Sequence, residues 1–381
     1  MEKGSKGMKK AVSIVVLCLM LVMLVAGCGS GGSGGKGKNL TLNVYNWGEY
    51  ISDGSEDSYD TVKEFKKWYQ DTYGVNITVN YDTYASNEDM YSKLSSGAVS
   101  YDVIIPSDYM IARMIKEDML LPLNYDNIPN YSNVDSSFKG LYYDPDDTYT
   151  VPYAYGIVGV IWNANEVDEA DAQGWDLMWN EKYAGRIVQF NNSRDAFGTA
   201  MYKLGIDVNT TDTAEWDRAF EELKSQHGLV YSYVMDEIYN MMESGEAAIG
   251  AYYAGDYFTM LDAQADTVDL RFYYPDPTNY YVDAMCIPKC CQNQELAEAF
   301  INFMLSRDAA VANAEYTYYA SPYTNVYTDS EYIEEMGEEA MEILYPETGD
   351  FAEKYNTYAY RNLSQDVLDY LNTLWESVKI N

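Results

Sequence analysis

Apolar and polar residues alternate through Leu40, Leu42 and Val44, the period of a half-buried strand. Tyr59, Val62, Phe65 and Tyr69 then recur at helical spacing, and Gly74 predicts the stop. Val75, Ile77, Val79 and Tyr81 alternate again, and Asn87 is placed to cap a short helix ending near Gly97. Val103-Ile104-Ile105 is a continuous apolar run before Pro106, as expected of a parallel strand covered on both faces. Strand, helix, strand, helix and strand in succession imply a right-handed α/β layer. A second such series follows Val151-Pro152. Strands are predicted at 157–162, 186–190, 229–234, 247–253 and 282–287. Helices are predicted around Trp216, Ala219, Phe220 and Leu223, and around Leu296, Ala299, Phe300 and Phe303. No low-complexity linker divides the chain after Lys38. Two α/β units without a flexible linker point to two lobes joined by several chain crossings, with a ligand held between them.

The start of the chain follows another pattern. Lys3, Lys6, Lys9 and Lys10 precede an apolar run from Ala11 to Ala26, 16 residues long. A membrane-spanning helix needs about 20, so the run reads as an export signal. It ends in Leu24-Val25-Ala26-Gly27-Cys28, which resembles a bacterial lipobox. The resemblance implies cleavage before Cys28 and a diacylglyceryl group on its sulfur; an uncleaved single-span anchor is the alternative. Residues 28–39 are then the lipidated cysteine and a Gly/Ser tether reaching roughly 15–20 Å.

The formal net charge is −35, and 40 tyrosines stand against a single histidine, His227. Removing residues 1–27 takes away four lysines and one glutamate and leaves −38. Such a surface repels nucleic acid and attracts cations, although solubility alone also accounts for acidity. One histidine counts against a His-ligated metal and against His-based acid–base chemistry. Cys286 reads as a small buried hydrophobe, and Cys290 and Cys291 as thiols without an assigned role.

Several motifs resemble the spermidine/putrescine-binding proteins of bacterial ABC importers. They are Tyr45-Asn46-Trp47-Gly48-Glu49-Tyr50 after the first strand, Tyr81-Asp82-Thr83-Tyr84-Ala85-Ser86-Asn87-Glu88, and Ile105-Pro106-Ser107-Asp108-Tyr109. Val151-Pro152-Tyr153, Val282 to Pro288, and Tyr319-Ala320-Ser321-Pro322 follow in the family's order. The resemblance implies a two-lobe periplasmic-binding-protein-like fold of type II, each lobe a mainly parallel sheet flanked by helices, closing on ligand by hinge motion. Residues 40–151 and 282–325 would form lobe 1, and 152–281 and 326–381 lobe 2. It implies no enzyme activity and no cofactor. The implied partners are an ABC permease and ATPase outside this chain, for a monomer held at the outer or periplasmic face of the cytoplasmic membrane.

Position by position, the resemblance assigns Asp283 to a terminal ammonium of the ligand and Trp47 and Glu49 to its far end, with Tyr50 beside them. Ser107 and Tyr109 would give hydroxyl contacts, Tyr253 and Tyr281 a cation–π wall, and Tyr319 a further aromatic contact. Of the pair formed by Asn192 and Asp195, relatives of the spermidine type carry two acids. The neutral Asn192 tilts the expectation toward putrescine, a dication. Gly48 removes a hydroxyl that relatives often carry.

The chemistry coheres independently. Each buried ammonium needs a carboxylate or several acceptors, and the methylenes between need apolar or aromatic walls. A binder of ferric ion, using Tyr252 and Tyr253, or of a sugar is the alternative. Ferric ion calls for a completing His or carboxylate, and His227 lies in a predicted Gln226-His227-Gly228 turn. No GxSxG, HExxH, P-loop or dinucleotide fingerprint supports catalysis.

Overall fold

The computed structural model describes residues 40–346 and 348–380. The expected export signal, Cys28 and the expected tether lie outside the described residues. Nine strands form one mixed sheet: β1 (Leu40–Trp47), β2 (Ile77–Tyr84), β3 (Val103–Ile104), β4 (Thr150–Asn163), β5 (Ile187–Phe190), β6 (Val230–Val234), β7 (Ile249–Tyr253), β8 (Leu270–Tyr273) and β9 (Tyr280–Cys286). Their order is β2-β1-β3-β9-β4-β7-β5-β6, with β8 on β4.

Two parallel sets are visible in that order. β1 pairs in parallel with β2 and β3, and β5 pairs in parallel with β6 and β7. Between them run β4 and β9, antiparallel to each other and to their neighbours. Each half therefore has the expected parallel set, and every antiparallel pair involves β4 or β9. The first half of β4 pairs with β9, and its second half pairs with β7 and β8. One long, almost wholly buried strand thus serves both halves of a two-lobe layout, and β9 returns beside it. A run apolar on both faces can do this because neither face is left to water.

Local signals place most elements. The helix Thr61–Tyr73 buries Phe65 and Tyr69 and ends at Gly74 as its spacing predicts. The helix Asn87–Ser95 is capped one residue earlier than expected. Ser86 accepts from Asp89 N, which frees the Asn87 side chain for other partners. His227 is the last residue of the helix Thr213–His227 rather than part of a turn. Cys286 is fully buried, and it, Cys290 and Cys291 are free thiols.

Where β4 meets β8, the sheet needs a residue without a side chain. A Cβ at Gly159 would stand 2.2 Å from Phe272 Cζ and 2.7 Å from Tyr273 O. Gly159→Ala is therefore expected to destabilise the fold by about 1–3 kcal/mol, read as a lower urea midpoint. An unchanged midpoint would mean that the ring and strand give way without cost.

Candidate functional site

Parallel strands present their carboxyl ends on one edge of a sheet, and ligands gather there because chain turns leave a crevice. Here the loops after all six parallel strands converge on one cavity of about 70 Å³. Trp47, Gly48 and Tyr50 come from the end of β1, and Ala85 to Glu88 from that of β2. Ser107 to Tyr109 follow β3, Asn192 and Asp195 follow β5, Met235 and Asp236 follow β6, and Tyr252, Tyr253 and Asp256 end or follow β7. Tyr281 and Asp283 project from β9, and Tyr319 and Tyr360 come from the C-terminal segments.

The lining carries six carboxylates (Glu88, Asp108, Asp195, Asp236, Asp256 and Asp283) and no Lys, Arg or His. Their hydrogen-bond partners are mostly tyrosines. Tyr50 donates to Asp283 Oδ2 at 2.7 Å, Tyr253 to Asp195 Oδ2 at 2.7 Å, and Tyr109 to Glu88 Oε1 at 3.0 Å. Tyr319 donates to Asp256 Oδ2 at 2.7 Å, and Tyr239 donates to its other oxygen. Tyr252 reaches Asp236 Oδ1 at 3.4 Å. A phenol orients a carboxylate without cancelling its charge, as Lys or Arg would. The site holds its acids in place with no cation in its own lining, and Arg194 outside it offsets part of the charge at Glu88 and Asp195.

Burial sets the electrostatics. It pushes Asp283 up to about 6, against the Ser107 and Tyr50 hydroxyls, and pushes Asp256 and Asp108 up to about 7. Asp195, Asp236 and Glu88 are also raised, first by burial. Asp283 Oδ1 and the Tyr281 hydroxyl are buried without a partner in hydrogen-bonding geometry. An acidic cavity with unfilled acceptors can take ammonium donors, each of which brings charge and three N–H groups together.

Ten of the eleven residues assigned to the ligand from sequence line this cavity: Trp47, Tyr50, Ser107, Tyr109, Asn192, Asp195, Tyr253, Tyr281, Asp283 and Tyr319. Trp47 is held by its Nε1 bond to Ile105 O at 2.9 Å and packs on Tyr84. Asn87, freed from capping, donates to the Ser107 and Tyr109 hydroxyls at 3.1 Å each. Tyr253 and Tyr281 meet edge to face at 5.4 Å, and Tyr50 and Tyr319 do so at 4.5 Å. Glu49 is the exception. It is exposed on the turn after β1 at φ 47° and lies outside the cavity lining. It is close enough to Asp236 and Asp53 for their charges to raise its pKa, after burial.

Asn192 caps the helix Ser193–Leu204: its Oδ1 accepts from Asp195 N at 2.8 Å and its Nδ2 donates to Asp195 Oδ2 at 2.6 Å. Both ends of its amide are spent on Asp195, so its oxygen is already taken by a donor within the helix. Asp236 and Asp256 were missed by motif reading. Their position one or two residues past a strand end, or in the first turn beyond it, was the available signal. A Cβ at Gly48 would come 2.8 Å from Asp236 Oδ2, so that carboxylate fills the space the glycine leaves. Among the described residues no group of three His, Cys, Asp or Glu has the geometry to hold a metal ion. None of their helices is long and apolar enough to cross a membrane.

Comparison with known proteins gives the same architecture. The model of the family described as bacterial extracellular solute-binding protein matches residues 60–338. The spermidine/putrescine-binding periplasmic protein of Escherichia coli is 32% identical over 287 residues, 74% of this chain and 78% of the relative. A solved structure from Listeria monocytogenes, assigned to spermidine/putrescine ABC transport, aligns with TM-score 0.77 and 30% identity over 89% of this chain and 99% of that one. The spermidine/putrescine ABC transporter substrate-binding protein of Streptococcus pneumoniae aligns with TM-score 0.70 and 31% identity over 90% of this chain and 99% of that one. These relatives are binding components of transporters and not enzymes.

Proposed function

Because the chain belongs to the bacterial extracellular solute-binding proteins, we propose that its cavity captures a small polyamine, putrescine or spermidine, and delivers it to the permease of an ABC importer. One observation carries the reading: six carboxylates line the cavity, held by tyrosines, with no cationic side chain among the lining residues. Leaving buried acids without a cation among them is costly, and the cost is recovered when a ligand brings the cations. The narrow volume and the aromatic walls suit a thin methylene chain with ammonium groups spaced along it.

Asp283 and Asp195 anchor the two ends in this reading, with Trp47, Tyr50, Ser107, Tyr109, Tyr253, Tyr281 and Tyr319 forming the walls. Glu49 acts from outside, through the field at the cavity. Asp236 and Asp256 supply negative charge that the sequence motifs did not include, so the neutral Asn192 no longer sets the number of ammoniums by itself. Residues 40–151 with 282–325, and 152–281 with 326–381, are the bodies that close, and the shared strands β4 and β9 carry the bend. The signal at 1–27 and lipidation at Cys28 place the monomeric protein at the outer face of the cytoplasmic membrane; two or more acyl chains give stable anchoring where one does not.

Titration calorimetry with putrescine, cadaverine, spermidine and spermine tests the function. Saturable binding of at least one amine is expected, and the rank order reports the favoured length. Absence of heat from all four at millimolar concentration would overturn the reading.

A further inference from the structure

The seven arginines of the chain are unevenly used. Arg186, Arg271 and Arg307 sit on carboxylates near the surface. Arg113, Arg194 and Arg361 instead line a second cavity of about 220 Å³, which shares Glu88 and Tyr109 with the first. Arg194 is only 3% exposed, yet it forms no ion pair among the described residues. Its terminal nitrogens make two long contacts, 3.5 Å to Val208 O and 3.4 Å to Asn209 Oδ1, and its Nε is buried with no partner. Arg361 donates Nη2 to Asn356 O at 3.0 Å, also without an ion pair, and its Nη1 is buried with no partner. Arg113 pairs with Glu117 at 3.0 Å and reaches Gln365 at 3.4 Å.

Aromatic rings cover the guanidinium faces: Tyr360 and Tyr109 for Arg194, Tyr142 for Arg361 and Tyr91 for Arg113. Stacking satisfies a face but not the N–H donors in the plane. A charged donor left buried without an acceptor costs several kcal/mol. Glu88 is the one carboxylate in the lining against three arginines. It feels the charge of Arg194, as does Asp195, but neither bonds to it, so the unfilled donors leave a place for an acceptor from outside. The space is far larger than the roughly 10–15 Å³ one water needs. Ser193 and Arg194 also open the helix Ser193–Leu204, whose N-terminal end carries positive partial charge.

We propose that this second cavity binds a small inorganic oxyanion of the phosphate or sulfate type. Arg113 stands on the helix after β3, and Arg194 on the helix after β5, so the anion bridges the two parallel strand sets. Its charge sits behind the wall formed by Glu88 and Tyr109. If the polyamine reading above holds, anion and polyamine strengthen each other's binding, and the factor is the same in both directions.

The test is titration of ligand-free protein with inorganic phosphate and with sulfate, using chloride at matched ionic strength as the control. Saturable binding is expected, weakened at least about tenfold in Arg361→Gln and Arg113→Gln and partly retained in Arg361→Lys. No saturable signal beyond chloride up to tens of millimolar, or wild-type binding in both Gln variants, would overturn the site. The Gln variants are expected to keep wild-type polyamine affinity in phosphate-free buffer. Saturating phosphate is expected to raise wild-type polyamine affinity about fivefold or more. Phosphate binding without that rise overturns the coupling and leaves the site standing. If no polyamine binds at all, the proposed function fails, and the direct phosphate titration still decides the site.

Discussion

Asp283→Asn protein is expected to bind its polyamine at least about 30-fold more weakly than wild type, while its ligand-free form unfolds at the same temperature or higher. The affinity loss follows from leaving a buried ammonium without its counter-charge, which costs about 2–5 kcal/mol, at 1.4 kcal/mol per tenfold. The stability gain follows from the free protein. Asp283 is buried, its Oδ1 has no partner and its pKa is pushed up to about 6, so its ionised form is a burden until ligand arrives. Asparagine keeps an acceptor for the Tyr50 hydroxyl and removes the charge. Calorimetric titration and thermal unfolding of the same preparations read both effects. Unchanged affinity would take Asp283 out of the site, and a large drop in unfolding temperature would make its role structural.

The affinity is also expected to fall roughly 100-fold between about pH 8 and pH 5.5. Asp283 titrates at about 6 and Asp256 at about 7 in the ligand-free protein, in both cases chiefly because of burial. An ammonium needs the ionised carboxylate, so binding below these values must first expel protons. Stability of the free protein runs the other way. A carboxyl whose folded pKa is raised above its unfolded value of about 3.9 binds more protons folded than unfolded between the two. Its contribution is complete below about pH 4 and is lost as the pH rises through 6 to 7. Free protein should therefore unfold at a higher temperature near pH 5 than near pH 8, and the stabilisation by putrescine should grow over the same interval. Titrations in buffers of different ionisation enthalpy would detect the released protons. An affinity constant across this range would show that these carboxyls are already ionised or do not meet the ligand.

The tyrosine content acquires a reason in the folded chain. The pairing of phenol with acid seen in the cavity recurs outside it, as in Tyr101 with Asp82, Tyr327 with Asp135 and Tyr318 with Asp262. A chain this short of Lys and Arg obtains donors for its carboxylates from tyrosine. Phenols satisfy acceptors and pack as aromatics, but they leave the net charge intact.

Much of the framework was legible beforehand because it is local. Alternation at Leu40, Leu42 and Val44 marks β1, and Gly74 stops the first helix, since each signal lies within a few residues of what it controls. Asn87 was misread for the same reason. Two adjacent residues could cap the helix, and the choice fell to Ser86 because the Asn87 amide has partners 20 and 22 residues away. The antiparallel course of β4 and β9 between the two parallel sets was likewise hidden, because periodicity marks a strand without its direction or neighbours.

Ten of the eleven residues that motif order named share one cavity. Glu49 was displaced because the turn after β1 points the chain outward at that residue. By itself, the sequence determined a basic and then apolar start, two α/β series and carboxylates at strand ends, all properties of short segments and of composition. Only the tertiary structure decided which acids share a cavity, which phenols hold them, and that three arginines face a second space. Tyr50 and Asp283 meet across 233 residues of chain. A contact of that kind depends on how strands are ordered in the sheet, and hydrophobic period carries no record of it.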